Sequence, residues 1–128
     1  MVETKNIVIV QRASHTELFD VTIPLDPTLP ISATNPWITP DWTGITAKLQ
    51  VRKSFDSAKV ELEVQSGSGI VLGAAGLLTL HLTPAQTAAF SFAGDRKVYV
   101  YDLLFITGNE VICATAGNFT VKKAVTRL

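Results

Sequence analysis

The chain has 128 residues, of which 47% are hydrophobic and 17% are charged, so we expect one domain with a substantial apolar core. Eleven basic and eleven acidic side chains give a formal net charge of zero, which argues against nucleic acid as a partner. The single cysteine, Cys113, excludes an intramolecular disulfide and a cysteine-based zinc site. Neither a signal peptide nor a membrane-spanning segment is predicted, so we expect a cytoplasmic origin and no membrane partner.

The first segment with a clear pattern is "MVETKNIVIV", in which Ile7 and Ile9 alternate with Val8 and Val10. Because side chains of a strand point alternately to opposite faces, this strand would be apolar on both faces and can be buried on both sides. Such a strand can pair within its own sheet, or it can extend the open edge of a neighbouring protein. We expect it to pair within its own sheet.

Apolar and polar residues then alternate with period two along most of the chain, which is typical of half-buried strands with one wet face. Glycine-containing turns separate these segments at short intervals. The pattern predicts a single all-β domain over residues 1–128, built as a two-sheet antiparallel, Ig-like β-sandwich. The alternating segments are "LFDVTIPL", "TAKLQVRKS", "AKVELEV" and "LLTLHLT".

A proline- and tryptophan-rich loop at about residues 26–42 interrupts the strands. Its four prolines prevent a strand or helix from running through it, and its tryptophans argue against disorder. The loop predicts either a protein-binding hot spot, ordered by contact with another chain, or an aromatic platform for sugar. An equally good interpretation is that one or both tryptophans cover the edge of the core. The predicted partner-binding residues are Trp37, at the centre, with Trp42, Pro36 and Pro40.

One segment, "LTPAQTAAF", has helical signals. Thr83 is suited to cap a helix, Pro84 suits the first helical position, and Gln86 completes a capping box. We therefore predict a single short helix near Pro84 to Phe90 that closes an open end of the sandwich.

The strand "VYVYDLLFI" raises the question of why an apolar run contains Asp102. In a central strand, an unpaired buried carboxylate would cost several kcal/mol. The best donor is Arg52, which lies on the wet face at the end of "AKLQVR". We predict that Asp102 is structural, paired with Arg52 or held by backbone donors.

No pattern of catalytic residues is present. The sequence lacks a nucleophile elbow, a phosphate-binding loop and a dinucleotide-binding glycine motif. The two histidines, His15 and His81, have no second histidine or carboxylate at metal-ligand spacing. We therefore expect no enzymatic activity, no metal and no cofactor.

Taken in order, several short motifs resemble those of a β-sandwich found in tailed-phage and prophage structural proteins, like the N-terminal domain of phage baseplate upper proteins. The resemblance covers the chain from about residue 16 to its end. Two features depart from the family: "ASHT" replaces a glycine turn before the first strand, and the proline-rich loop is longer. The matching positions are Thr43-Gly44, Arg52, Thr83 to Thr87, Tyr101-Asp102, Gly117 and Val125-Thr126.

The resemblance implies a non-enzymatic virion protein that is made in the host bacterial cytoplasm. It would dock fibres or receptor-binding modules to a tail or baseplate, contacting other virion proteins in multiple symmetric copies. In the family a receptor-binding region follows the sandwich, and none follows within these 128 residues, so we expect an adaptor, a plug or a decorating subunit. Two alternatives remain: a head, neck or capsid-decorating subunit, and a carbohydrate-binding module that uses Trp37 and Trp42.

Overall fold

The structure, a computed structural model, describes residues 4–26 and 28–124. Among them are ten strands, one short α-helix, α1 (Pro84–Ala88), and a 3₁₀ turn at Ala74–Gly76. Neither helical segment in this part of the chain has the length and apolar character that crossing a membrane would need. The strands are β1 (Ile7–Val10), β2 (His15–Asp20), β3 (Ile23–Pro24), β4 (Trp37–Ile38), β5 (Ile45–Arg52), β6 (Leu62–Ser66), β7 (Gly69–Leu72), β8 (Leu77–Leu82), β9 (Arg96–Thr107) and β10 (Glu110–Lys122).

Eight of these strands form one mixed sheet in the order β1-β10-β9-β5-β6-β7-β8-β2, which nearly closes into a barrel. The prediction of a two-sheet antiparallel, Ig-like sandwich is therefore wrong. Two pairs, β1 with β10 and β6 with β7, are parallel. Strands β3 and β4 form a separate two-stranded sheet. The alternation in the sequence fixes only which residues face inward, and that alternation is the same in a barrel as in a sandwich.

The barrel interior is filled by every second residue of the strands, as the alternation predicts. On β9, Tyr99, Tyr101, Leu103 and Phe105 are all essentially inaccessible to water. Burying each such side chain contributes about 1.5–3 kcal/mol. Strand β10 has a bulge at Ala114, where its register with β9 shifts, and a bulge increases the bend and twist of a strand. This bend helps the long β9–β10 hairpin to curve around the core.

The edge strands β1 and β2 meet through side chains at the seam of the barrel. Lys5 Nζ donates to the carbonyl oxygen of Leu18 at 2.7 Å and forms an ion pair with Glu17 at 2.7 Å. Its ammonium group also lies 5.1 Å from the centroid of the Phe19 ring. From inside the barrel, the Tyr101 hydroxyl donates to the Lys5 carbonyl oxygen. These contacts hold the two sheet edges together.

Strand β1 pairs with β10 of its own chain, as expected, but only one of its faces is buried. Ile7 and Ile9 point into the barrel and are fully buried. Val8 and Val10 lie on the outer wall and are 46% and 42% exposed. The strand could have been buried on both sides, but among the described residues no second sheet lies over the outer face of β1.

Helix α1 closes one end of the barrel. Both hydrogen bonds of the predicted capping box are present between Thr83 and Gln86, and the helix ends at Ala88, two residues before the predicted end. Thr87 is fully buried and donates to the carbonyl oxygen of Ala13 at 2.9 Å. Just beyond the helix, the buried ring of Phe90 packs 5.0 Å from Tyr99, centroid to centroid.

Candidate partner-binding surface

The proline- and tryptophan-rich segment forms a small lobe, which we define as residues 23–26 and 28–42. At its base, β3 and β4 pair Ile23 with Ile38 and Pro24 with Trp37. The prolines of the lobe have no backbone N–H to donate, so backbone pairing alone cannot fix its shape.

Buried Asn35 supplies the missing hydrogen bonds in the lobe. Its Nδ2 donates to the carbonyl oxygens of Asp26, Leu29 and Pro30 at 3.0, 3.1 and 3.1 Å. Its Oδ1 accepts a hydrogen bond from the backbone N–H of Asp26 at 2.7 Å. Hydrogen bonds of Asn35 therefore order the lobe from within its own chain. The sequence analysis instead predicted that contact with another chain would order it.

Large apolar side chains remain exposed on this ordered lobe. The Trp37 side chain is 45% exposed, and no hydrogen bond or ring contact involves it in the described part of the chain. Monomeric proteins rarely expose several large apolar groups close together unless the surface binds something. We define the lobe surface as the exposed residues Leu25, Leu29, Ile31, Pro36 and Trp37.

Trp42 and Pro40 have a different role, because they pack against the barrel end opposite α1. The Trp42 Nε1 donates to the carbonyl oxygen of Gly73 at 2.7 Å, and its ring meets Phe105 edge-on at 5.5 Å. Pro40 is buried, and its Cδ lies 3.3 Å from the position that a Cβ on Gly76 would occupy. Of the predicted partner-binding residues, Trp37 and Pro36 are thus on the surface, while Trp42 and Pro40 cover the core.

Arg52 and Asp102 lie on the outer wall of the barrel, on neighbouring strands. Arg52 donates to the Ser57 carbonyl oxygen at 2.6 Å and to Gln50 Oε1 at 3.0 Å. Within the described residues no ion pair joins Arg52 to Asp102. The guanidinium group therefore holds the loop between β5 and β6, and the predicted direct pair is not formed in this structure.

Asp102 instead faces outward on β9, between Gln50 of β5 and Ala116 of β10. It is half-buried and lines a shallow cavity of about 50 Å³, together with Gln50, Arg52, Phe55 and Val100. This position explains why an apolar strand can contain Asp102. The carboxylate lies on the solvent-facing side of the barrel, so it keeps part of its hydration.

The outer wall also has an apolar area that the sequence analysis missed. Val98 is 50% exposed on β9, on the same side of the sheet as Val8 and Val10 of β1. The signal was present in "NIVIV" and "VYVYDLLFI", where apolar residues occupy both faces of a strand. Which face of each strand remains exposed depends on how the sheet curves into the barrel, because the inner face is buried and the outer face meets solvent.

We next consider the histidines, the cysteine and the potential metal ligands in residues 4–26 and 28–124. No group of three potential metal ligands lies together there. His15 contacts Glu17 at 2.8 Å, and the ring of His81 contacts the Thr16 hydroxyl at 3.2 Å. Burial, with the nearby Asp102 charge, raises the pKa of the Cys113 thiol, which lowers the fraction of reactive thiolate.

No protein-family profile matches the chain, and no curated protein matches it. Family membership therefore stays a prediction from the series of motifs. In the structure, Thr43-Gly44 immediately precedes β5, Arg52 ends β5, and Tyr101-Asp102 lies in the middle of β9. The last motif, Val125-Thr126, lies outside the described residues.

Proposed function

We propose that the chain is a non-enzymatic virion structural protein that docks fibres or receptor-binding modules to a phage tail or baseplate. The observation that carries this proposal is the exposed, internally ordered lobe surface with Trp37 on it. The series of phage-like motifs supports the choice of a virion setting. The partners are other virion proteins, and neither nucleic acid nor membrane is involved.

The lobe surface has the properties of a binding anchor. An aromatic side chain buries about 150–250 Å², so a tryptophan that is 45% exposed has about 100 Å² left to bury. At about 25 cal/mol per Å², this area corresponds to about 2–3 kcal/mol, the size of an interface hot spot. Because Asn35 already orders the lobe, docking costs little further conformational entropy.

The proposal is tested on purified particles of the phage that encodes the chain. We expect mass spectrometry to find the protein in separated tails, and we expect particles carrying Trp37→Ala to lose fibres or receptor-binding modules. Leu18→Ala is the matched control, because Leu18 is an exposed apolar residue on β2, outside the lobe. Absence of the chain from the particle, or full fibre occupancy with Trp37→Ala, would refute the proposal.

The same preparation separates the alternatives. Recovery of the chain with heads or necks would favour a head, neck or capsid-decorating subunit. A carbohydrate-binding module would show glycan-array binding that is lost in Trp37→Ala. The carbohydrate hypothesis has less support from geometry, since a two-tryptophan platform needs both rings exposed and Trp42 donates its indole N–H to Gly73.

A further inference from the structure

The charged residues of the chain are segregated toward the two ends of the barrel. Around α1, the Thr87 hydroxyl donates to the Ala13 carbonyl oxygen at 2.9 Å. Nearby, the backbone N–H of Lys123 donates to the Asp95 carbonyl oxygen at 2.9 Å. These bonds bring three segments together, and they contain five cations against one carboxylate. We define the basic end as residues 11–13, 84–97 and 122–124. Its cations are Arg12, Arg96, Lys97, Lys122 and Lys123.

The cations of the basic end are not compensated. Within the described part of the chain, none of the five is in an ion pair. Four are exposed, and half-buried Lys123 has its ammonium group 5.4 Å from the centroid of the Phe92 ring. Arg96 and Lys122 are direct cross-strand neighbours on β9 and β10, a placement of like charges that destabilises a sheet. An anionic partner at this end would relieve that repulsion.

The barrel end opposite α1, where the lobe packs, has the reverse composition. Trp42 donates to Gly73 at 2.7 Å, and Asp20 at the end of β2 pairs with Leu77. Thr107, at the end of β9, pairs with the first residue of β5, which follows the lobe. These contacts bring four segments together. We define the acidic end as residues 20–26, 28–44, 73–77 and 107–111.

The acidic end contains four carboxylates and no lysine, arginine or histidine. None of the four carboxylates forms an ion pair among the residues that the structure describes. Hydrogen bonds from Thr28 lower the pKa of Asp26, and hydrogen bonds from Thr43 lower the pKa of Asp41, so both stay ionised at neutral pH. The carboxylates are Asp20, Asp26, Asp41 and Glu110.

The two ends cannot neutralise each other within one chain. Strand β9 runs from Arg96 at the basic end to Thr107 at the acidic end. At about 3.3 Å per residue, these positions are roughly 36 Å apart. Exposed charges are largely screened beyond about 8 Å at physiological salt. Each end is therefore a charged surface of its own, although the formal net charge of the chain is zero.

We propose that copies of this chain associate head to tail, with the acidic end of one copy packed on the basic end of the next. The charges match in number, because five cations less one carboxylate meet four carboxylates. The exposed α1 residues Pro84, Ala85 and Ala88 are uncharged, which suits contact with the apolar lobe. In a head-to-tail contact each copy uses two different surfaces, so the assembly can grow beyond a dimer.

Head-to-tail association is compatible with the proposed function. An open stack of copies covers the lobe of every copy except the last. The lobe surface of that last copy stays available for a fibre or a receptor-binding module. The inference rests on the charges of the chain itself and does not depend on the virion assignment.

Charge changes at one end test the proposal, by sedimentation velocity over a concentration series. We expect the wild-type chain to form assemblies larger than a dimer at low salt, which dissociate at high salt. Lys97→Glu with Lys122→Glu brings the basic end to zero net charge, and Asp20→Lys with Glu110→Lys does the same at the acidic end. Each double variant alone should associate about 10-fold or more weakly. Lys122→Glu also places an opposite charge beside Arg96, which favours the fold.

An equal mixture of the two double variants tests the head-to-tail geometry. Each variant keeps one unchanged end, and these two ends are complementary. The mixture should therefore form a one-to-one heterodimer that does not grow further. Asp102→Lys is the control and should assemble like the wild-type chain, because Asp102 lies on the barrel wall between the two ends.

Any of three results would overturn the proposal: a wild-type chain that stays monomeric at the highest attainable concentration, a wild-type assembly that stops at a dimer, or a mixture that forms no heterodimer. Circular dichroism of each variant separates loss of association from loss of fold. A chain that stacks but is absent from virions refutes only the proposed function. A monomeric chain found in tails refutes only this inference.

Discussion

The two tryptophans of the lobe should differ in their effect on stability by about 2 kcal/mol when each is replaced by alanine. Trp42 makes a hydrogen bond to Gly73 and an edge-on ring contact with Phe105. These interactions contribute about 1 kcal/mol each. Trp37 is 45% exposed and makes neither kind of contact among the described residues, so its replacement forfeits only partial burial. We therefore expect Trp42→Ala to be the more destabilising change.

The measurements are urea unfolding and thermal unfolding, both followed by far-UV circular dichroism so that no tryptophan fluorescence is needed. A difference of about 2 kcal/mol corresponds to about 8 °C between the melting temperatures of the variants for a domain of this size. Equal losses, or a larger loss for Trp37→Ala, would refute the reasoning. Either result would mean that Trp37 supports the core and that the lobe surface is not available for a partner.

Three further predictions test other parts of the fold. Thr83→Ala removes the helix cap and should lower the unfolding free energy by about 1 kcal/mol, with Thr83→Ser retaining it; equal stability of all three proteins would contradict the capping role. Gly117→Ala places a Cβ 2.6 Å from the Lys5 carbonyl oxygen, so it should cost about 1–3 kcal/mol and speed amide exchange in β1, whereas unchanged exchange would argue against this contact. Burial by itself raises the pKa of Glu17, but hydrogen bonds from Lys5 and His15 outweigh it and hold the pKa below 4.5. The stability that Glu17 contributes is therefore present above pH 4.5 and lost as the pH falls through the lowered pKa, so Glu17→Gln should flatten the acid limb of the stability curve; an unchanged limb would show that the seam does not depend on this charge.

The inward-facing residues could be predicted from the sequence because their alternation is local. Leu49, Leu80 and Val64 all face the core as their strands' patterns indicate. The helix was equally local, since Thr83 and Gln86 are three residues apart and form their capping box without help from the rest of the chain.

The pairing of distant strands could not be predicted, and it decides between barrel and sandwich. Strand β1 pairs with β10, more than a hundred residues away, and the seam is closed by the Lys5 side chain. Neither contact has a local signal in the sequence. The same limit applies to the lobe. Nothing in the sequence distinguishes Asn35 from the other polar residues of the loop, and only its hydrogen bonds in the folded chain show that it orders the lobe.

Asp102 shows how this long-range uncertainty affects the interpretation of a site. Strand β9 is central in the sheet, but in a barrel its outer face meets water, so its carboxylate needs no buried cation. Its neighbours on the outer wall are Gln50, Ala116 and half-buried Val100. The residues next to it in the sequence, Tyr101 and Leu103, face the opposite, buried side of the strand.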